Sequence, residues 1–184
     1  MDKLSVHTRL ARQSLEHYLR TGRLLSTPQP LPAELSVRAG AFVTLHAGEH
    51  LRGCIGTYAP TQDNLAEEVI RNAVRAGVAD PRFPPVGAAE LPGLTLSVDV
   101  LGPLEPVAEP RRELDPRRYG VVVRKGDRSA LLLPDLAGVD TVERQMALVC
   151  QKAGLDPGEE GIQVWRFAAE RHLEDERPGG GGAF

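Results

Sequence analysis

Apolar residues recur at helical spacing in three stretches of the chain, and each stretch predicts an amphipathic helix. The first covers about residues 3–20. The second begins at a polar cap among residues 61–64 and ends near Gly77. The third follows Thr141 and ends at Gly154, a residue type that often closes helices. These helices need a second layer to cover their apolar faces, and strand patterns elsewhere in the chain supply one.

Six shorter stretches have the alternating or continuous apolar pattern of β-strands. They are residues 41–46, 51–55, 94–101, 119–124, 130–133 and 162–167. The first two flank the turn Gly48-Glu49-His50 and predict a hairpin. The two strands on either side of Lys125-Gly126-Asp127 predict a second hairpin, whose continuous apolar run predicts a central strand pair buried on both faces. Hairpins interleaved with helices predict an α+β fold in which helices cover largely antiparallel sheets.

Two segments rich in proline or glycine are predicted to lie outside the helices and strands. Asp80–Pro85 contains three prolines and predicts a stiff loop that Phe83 anchors to the body of the protein. Four consecutive glycines follow Pro178. Because ordering glycine costs much backbone entropy, residues 175–184 are predicted to form a flexible tail.

Composition and charge exclude several classes of protein. The 184 residues carry a formal net charge of −3, so the overall charge attracts neither nucleic acid nor an anionic membrane. The apolar runs are shorter than the roughly 20 residues that cross a bilayer, and Asp2, His7 and Arg9 interrupt any signal peptide. The two cysteines, Cys54 and Cys150, are far apart and do not suggest a disulfide framework. We therefore expect a cytoplasmic protein with reduced thiols that binds neither nucleic acid nor membrane.

The segment Leu51-Arg52-Gly53-Cys54-Ile55-Gly56 contains the best candidate for a functional side chain. In an extended strand, Arg52 and Cys54 project from the same face, about 6–7 Å apart. At that distance the guanidinium lowers the pKa of the thiol, and the ionised thiol is the form that attacks electrophiles. Cys54 is therefore a candidate nucleophile, and Arg52 is a candidate stabiliser of the thiolate or of a bound anion. The opposing interpretation is that Cys54 is a small buried apolar residue, since burial raises the pKa of a thiol.

Glycines on both sides of Cys54 extend the candidate site along the strand. Glycine in a strand marks a bulge or a place where another group comes close to the backbone. Gly53 and Gly56 are therefore candidate binding residues, together with Leu51 and Ile55.

Residues of the proline-rich loop are candidates to complete a polar binding site. These candidates are Asp80, Arg82 and Phe83, and Asp99 of a later predicted strand could complete the same polar site. The alternative for Asp80 is that it simply forms a turn, as aspartate before proline ordinarily does.

Histidines and the second cysteine do not complete a metal site. His46 and His50 flank the turn before Cys54, but their spacing matches no zinc signature, and exposed turn residues are the better interpretation. Cys150 lies among apolar positions of the third predicted helix, which favours core packing. The sequence predicts no metal and no cofactor.

The residues around Cys54 resemble those of the AMMECR domain family. The resemblance rests on Leu51–Gly56, which carries the six-residue motif of the family intact, with Phe42–Leu45 before it and Asp80–Pro85 after it. It extends over about residues 3–174. Ser97-Val98-Asp99-Val100-Leu101 is among the segments that are most similar to a prokaryotic branch called AmmeMemoRadiSam system protein A.

The resemblance implies one α+β domain over residues 3–174, with two intimately associated lobes, one larger and one smaller. It also implies partners, because proteins of this branch are typically encoded beside, or fused to, a Memo-like protein and accompanied by a radical SAM protein. It marks the six-residue motif as the functional surface and supplies no reaction.

Two functions fit these observations. The first is an accessory or substrate-binding component that presents Leu51–Gly56 and Asp80–Pro85 to a Memo-like or radical SAM partner, or to a small-molecule or modified substrate. The second is a cysteine-dependent enzyme in which Cys54 is the nucleophile and Arg52 lowers its pKa. We favour the first, because the second lacks an identified general base.

Overall fold

A computed structural model describes residues 5–174. The chain divides into two compact units. Within the described residues, the first unit contains residues 5–100 and 171–174, and the second contains Leu101–Glu170. The flexible tail predicted at residues 175–184 lies outside the described residues.

Five α-helices and eight β-strands make up the described part of the chain. The helices are α1 (Val6–Thr21), α2 (Ala33–Ser36), α3 (Leu65–Val78), α4 (Pro110–Glu113) and α5 (Val142–Ala153). The strands are β1 (Ala41–Ala47), β2 (His50–Thr57), β3 (Leu94–Leu101), β4 (Glu105–Val107), β5 (Gly120–Lys125), β6 (Arg128–Leu132), β7 (Gln163–Phe167) and β8 (Ala169–Leu173).

Capping residues set the ends of the three long helices, which confirms the helix predictions. Ser5, Asn64 and Thr141 each accept a hydrogen bond from a backbone N–H in the first turn of their helix. Gly22 and Gly154 adopt the left-handed conformation that ends α1 and α5, with φ of 71° and 68°. The local sequence therefore encodes where all three helices begin and where α1 and α5 end.

The first unit is a four-stranded sheet in the order β2-β1-β3-β8. α3 packs on β1 and β2, and α1 packs on α3. The core between sheet and helices includes Leu15, Val43, Leu45, Leu65, Val69, Ala73, Leu96 and Val98. Because strand residues alternate between faces, Thr44 and Cys54 project from the face opposite this core.

The second unit is built on a four-stranded sheet in the order β4-β7-β5-β6, and α5 packs on β5 and β6. Val121, Val123 and Val149 lie in its core together with Cys150. Cys150 is fully buried, which confirms the packing role expected of it.

One strand assignment in the second unit is wrong. β5 is central and buried over Gly120–Val123, but β6 is an edge strand whose residues are exposed or half-buried. Of the apolar run in β6, Ala130 and Leu132 pack against the core beneath α5. The predicted central pair is therefore one central strand beside one edge strand. The apolar residues of β6 are covered on only one face of the sheet.

The architecture confirms the predicted fold class. Both sheets are antiparallel, and helices cover them. None of the helices within residues 5–174 is long and apolar enough to cross a membrane.

Candidate functional site

Cys54 lies in the middle of β2, one of the two edge strands of the first sheet. It pairs with Thr44 of β1. Closer to the turn the register shifts, so that Leu51 faces His46. Arg52 is therefore the extra residue of a β-bulge and has no partner on β1.

Asp80 and Arg82 hold the backbone of Cys54 at the open edge of β2. The N–H of Cys54 donates to Asp80 Oδ2 at 2.9 Å, and its C=O accepts from Arg82 Nη2 at 3.2 Å. The two side chains also bind each other, with Arg82 Nε 2.9 Å from Asp80 Oδ1 and Arg82 Nη2 2.7 Å from Oδ2. Backbone groups on a sheet edge otherwise lack a protein partner. At Cys54 the Asp80–Arg82 pair therefore makes the hydrogen bonds that a neighbouring strand would make.

The thiol of Cys54 faces the hydroxyl of Thr44. A residue whose backbone groups point away from the adjacent strand belongs to a non-hydrogen-bonded pair, in which facing side chains lie closest. Accordingly, Cys54 Sγ lies 3.2 Å from Thr44 Oγ1. Burial raises the pKa of the thiol, and the Thr44 hydrogen bond and the charge of Arg82 only partly offset it. The sulfur is therefore largely protonated at neutral pH.

The structure gives the Arg52 guanidinium a partner other than the Cys54 thiol that the sequence predicted it to stabilise. Arg52 forms an ion pair with Glu90, with Nε 2.5 Å from Oε1 and Nη2 3.1 Å from Oε2. The bulge interrupts the alternation that was expected to place Arg52 and Cys54 on one face. The cation that lowers the pKa of the thiol is Arg82 instead.

Gly53 and Gly56 are required by contacts inside the first unit. A Cβ on Gly53 would lie 2.2 Å from the carbonyl oxygen of Ala76 in α3. A Cβ on Gly56 would lie 2.3 Å from the ring of Phe42. The close approach predicted at these glycines is therefore made by a helix and an aromatic ring of the same unit.

The other predicted residues divide between core and surface. Ile55 packs against the hydrophobic core of the first unit, whereas Leu51 is exposed. Phe83 is half-buried, and the guanidinium carbon of Arg82 lies 5.5 Å from the centre of its ring. His50 is exposed as predicted but is the first residue of β2, whereas His46 lies in β1 and is half-buried, so the prediction of two exposed turn residues is wrong for His46. Within residues 5–174, no three His, Cys, Asp or Glu side chains are grouped as a metal site requires.

Three residues around this site were not predicted as members of it: Thr44, Glu90 and Arg171. The negative charge of the buried Asp99 raises the pKa of the Cys54 thiol, and Arg171 Nε donates to Oδ1 of this carboxylate at 2.7 Å. Glu90 and Arg171 are far from the motif along the chain, so no local pattern indicates them. Only Thr44 could have been identified from the sequence, because the predicted hairpin places it opposite Leu51–Gly56.

We expect acid to destabilise the first unit through Asp80. Hydrogen bonds from Arg82 hold the pKa of this buried carboxyl far below its usual range. Because the folded pKa is the lower one, the stabilisation is present above the unfolded pKa of about 3.9 and is lost as the pH falls toward the folded pKa. Between about pH 5 and pH 2, the free energy of unfolding should therefore fall less steeply for Asp80→Asn than for the intact protein. Urea unfolding at a series of pH values measures both slopes.

Asp63→Asn is the matched control for this experiment. Asp63 is exposed and makes no hydrogen bond or ion pair with any described residue. We expect it to leave the pH dependence unchanged, and equal slopes for Asp80→Asn and the intact protein would contradict the role assigned to Asp80.

Comparison with known proteins identifies relatives along nearly the whole chain. The sequence model of the AMMECR1 family matches residues 8–172. A protein of Thermotoga maritima is 48% identical over 168 residues, which are 90% of this chain and 96% of that protein. Protein CA_C1420 of Clostridium acetobutylicum is 46% identical over 170 residues, which are 91% of this chain but only 36% of that protein.

A solved structure shares the fold. The crystal structure of the uncharacterised protein PH0010 from Pyrococcus horikoshii matches with a TM-score of 0.85 and 38% identity. The match covers 93% of this chain and 91% of that one. With sequence relatives along nearly its whole length and a fold shared with one of them, this chain belongs to the AMMECR1 family.

Proposed function

We propose that this protein is an accessory or substrate-binding component that acts through the surface around Cys54. The observation that carries the proposal is that Asp80 and Arg82 fix the backbone of Cys54 while its thiol stays largely protonated. A nucleophilic cysteine needs the opposite arrangement, with a base or cation that ionises the sulfur. A rigidly held surface suits recognition, because it loses little conformational entropy on binding.

Residues next to the clamped backbone supply the contacts that a bound partner needs. Leu51 is an exposed apolar side chain, and Phe83 is half-buried. The Arg82 side chain is 54% exposed although it is held by Asp80. Aromatic and arginine side chains contribute most of the energy at protein interfaces. This combination therefore suits a partner protein or a substrate that the partner delivers.

The partner that we propose is a Memo-like protein or a radical SAM protein. One support is the resemblance of this chain to AmmeMemoRadiSam system protein A. Another is that the matching region makes up only 36% of the Clostridium acetobutylicum relative, whereas it spans 96% of the Thermotoga maritima relative. A domain that occurs both nearly alone and within a longer polypeptide suits a role beside a second protein.

Association is tested by co-purifying the intact protein with a Memo-like protein and a radical SAM protein from the same organism. We expect retention of at least one, and a loss of about tenfold or more in affinity for Arg82→Ala and Leu51→Ser. Leu51→Ser leaves the Asp80 clamp in place, so its effect cannot come from a freed carboxylate. Arg9→Ala, an exposed position on α1, is the control. The absence of association with the intact protein, or equal affinities for all variants, would contradict the proposal.

A cysteine-dependent enzyme is the second candidate, favoured by Thr44 and Arg82, which both lower the pKa of the Cys54 thiol. The rate of alkylation by iodoacetamide against pH, followed at Cys54 by peptide mass spectrometry, separates the two functions. We expect a midpoint above about 8.5 and a rate below that of free cysteine. Arg82→Gln should raise the midpoint further, and Arg52→Gln should leave it unchanged. A midpoint near neutral pH would favour the enzyme.

A further inference from the structure

A cleft of about 290 Å³ lies between α3 and two loops of the first unit. Its volume is near the lower end of the range for sites that bind small molecules. The lining does not include Cys54, Asp80 or Arg82. It consists of Leu24, Thr61, Gln62, Glu68, Arg71, Asn72, Val74 and Arg75.

Arg71 and Arg75 give the cleft its positive charge. They are one helical turn apart on α3, so both guanidinium groups lie on one face of the helix. Both are exposed, and neither has a hydrogen-bond or ion-pair partner in the part of the chain that the structure describes. Arg52 and Arg82 of the same unit, by contrast, each bind a carboxylate. Like charges at this spacing repel each other, and an anion that binds both removes the repulsion.

The carboxylate in the lining serves another purpose. Glu68 is 1% exposed, and its Oε1 accepts from Thr57 Oγ1 at 2.6 Å. Its Oε2 accepts from the backbone N–H groups of Thr61 at 2.7 Å and Gln62 at 2.9 Å. Glu68 therefore holds the loop after β2 against α3 and makes that wall of the cleft rigid. Two guanidinium groups against one carboxylate leave the lining with a net positive charge.

We propose that this cleft binds a small organic anion whose phosphate or carboxylate oxygens accept hydrogen bonds from Arg71 and Arg75. Guanidinium groups donate paired hydrogen bonds to such oxyanions. Leu24 and Val74 supply apolar surface for the rest of the ligand. The cleft is separate from the Cys54 surface. A test of anion binding in the cleft is therefore independent of the function proposed for that surface.

Titration of the full chain with three probes tests the proposal. The probes are glycerol 3-phosphate, inorganic phosphate and succinate, and binding is followed by amide chemical shifts in ¹⁵N-labelled protein. We expect glycerol 3-phosphate or succinate to give saturable shifts at Thr61, Gln62 and the two arginines, and to bind more tightly than inorganic phosphate. The tighter of the two organic probes identifies the preferred oxyanion. The proposal is overturned if no probe gives saturable shifts up to about 10 mM, or if inorganic phosphate binds as tightly as the tighter of the two organic probes.

Charge-removing variants locate the binding groups. Arg71→Gln and Arg75→Gln should each weaken binding of the preferred probe by about tenfold or more, because each removes a charge-assisted donor. Arg9→Gln removes the same charge from an exposed position on α1 that does not line the cleft. A loss for Arg9→Gln equal to that of the cleft variants would show that the probe responds only to overall charge, and would overturn the site.

Discussion

Replacing Arg12 with alanine is expected to lower the free energy of unfolding by about 3–5 kcal/mol. Arg12 of α1 forms an ion pair with Glu174, and their side chains are only 11% and 2% exposed. Its guanidinium also donates to the carbonyl oxygens of Leu91 at 3.2 Å and Leu94 at 2.6 Å. Alanine at this position leaves a buried carboxylate without its cation and two carbonyl groups without this donor. Urea unfolding followed by circular dichroism measures the loss.

Arg9→Ala is the matched control, because Arg9 is an exposed residue of the same helix. We expect it to change the free energy of unfolding by no more than about 0.5 kcal/mol. The double variant with Arg12→Met and Glu174→Met should have a higher free energy of unfolding than Arg12→Met alone, since it buries no unpaired charge. If Arg12→Ala costs no more than Arg9→Ala, the ion pair does not stabilise the first unit.

Gly53→Ala is expected to cost about 3 kcal/mol, at the upper end of the usual range for overpacking. The new Cβ would lie 2.2 Å from the carbonyl oxygen of Ala76 and 3.2 Å from its carbonyl carbon. These are backbone atoms of a helix, so no side-chain rotation relieves the clash. α3 would have to move away from β2, and the core between them would lose packing. The same unfolding measurement detects the change.

Gly87→Ala separates this steric effect from the general effect of replacing glycine. A Cβ on Gly87 would meet no atom within 4 Å, and its φ is not in the left-handed region. Alanine there reduces the entropy of the unfolded chain, so we expect no change or a gain of up to about 1 kcal/mol. Similar values for Gly53→Ala and Gly87→Ala would rule out close packing of α3 on the motif.

The long helices could be predicted because their signals are local. Apolar spacing and a capping residue both lie within a few positions of each helix end. The short strands were missed. β4 has three residues and contains Pro106, and β8 contains the charged Glu170 and Arg171. Their conformation comes from pairing β4 with β7 and β8 with β3, and each of these partners is more than 50 positions away in the sequence.

The position of Cys54 on a hairpin strand could be predicted, but the residue facing it could not. Counting back from the turn places Thr44 opposite Gly53, whereas the bulge shifts the register so that Thr44 faces Cys54. Nothing in the apolar pattern identifies Arg52 as an extra residue. A shift of one position nevertheless changes every facing pair beyond it.

Asp80 and Arg82 were predicted as members of a polar site. In the structure, both side chains form hydrogen bonds with the backbone of Cys54. The turn-forming alternative for Asp80 also holds, because Arg82 N–H donates to Asp80 Oδ1 at 3.1 Å. One carboxylate therefore both forms the turn and binds the strand. The sequence pattern could not show this, since it depends on the path of the loop back to β2.

The division of the chain determines the order in which its parts can fold during synthesis. The second unit is the continuous stretch Leu101–Glu170, closed near its ends by a hydrogen bond from Gly102 N–H to the carbonyl of Ala168. The first unit needs β8 and the ion pair between Arg12 and Glu174, which are 162 positions apart. Because the ribosome releases the chain from its amino end, the second unit can fold while the first still lacks a strand. The unit that begins first in the sequence is completed last.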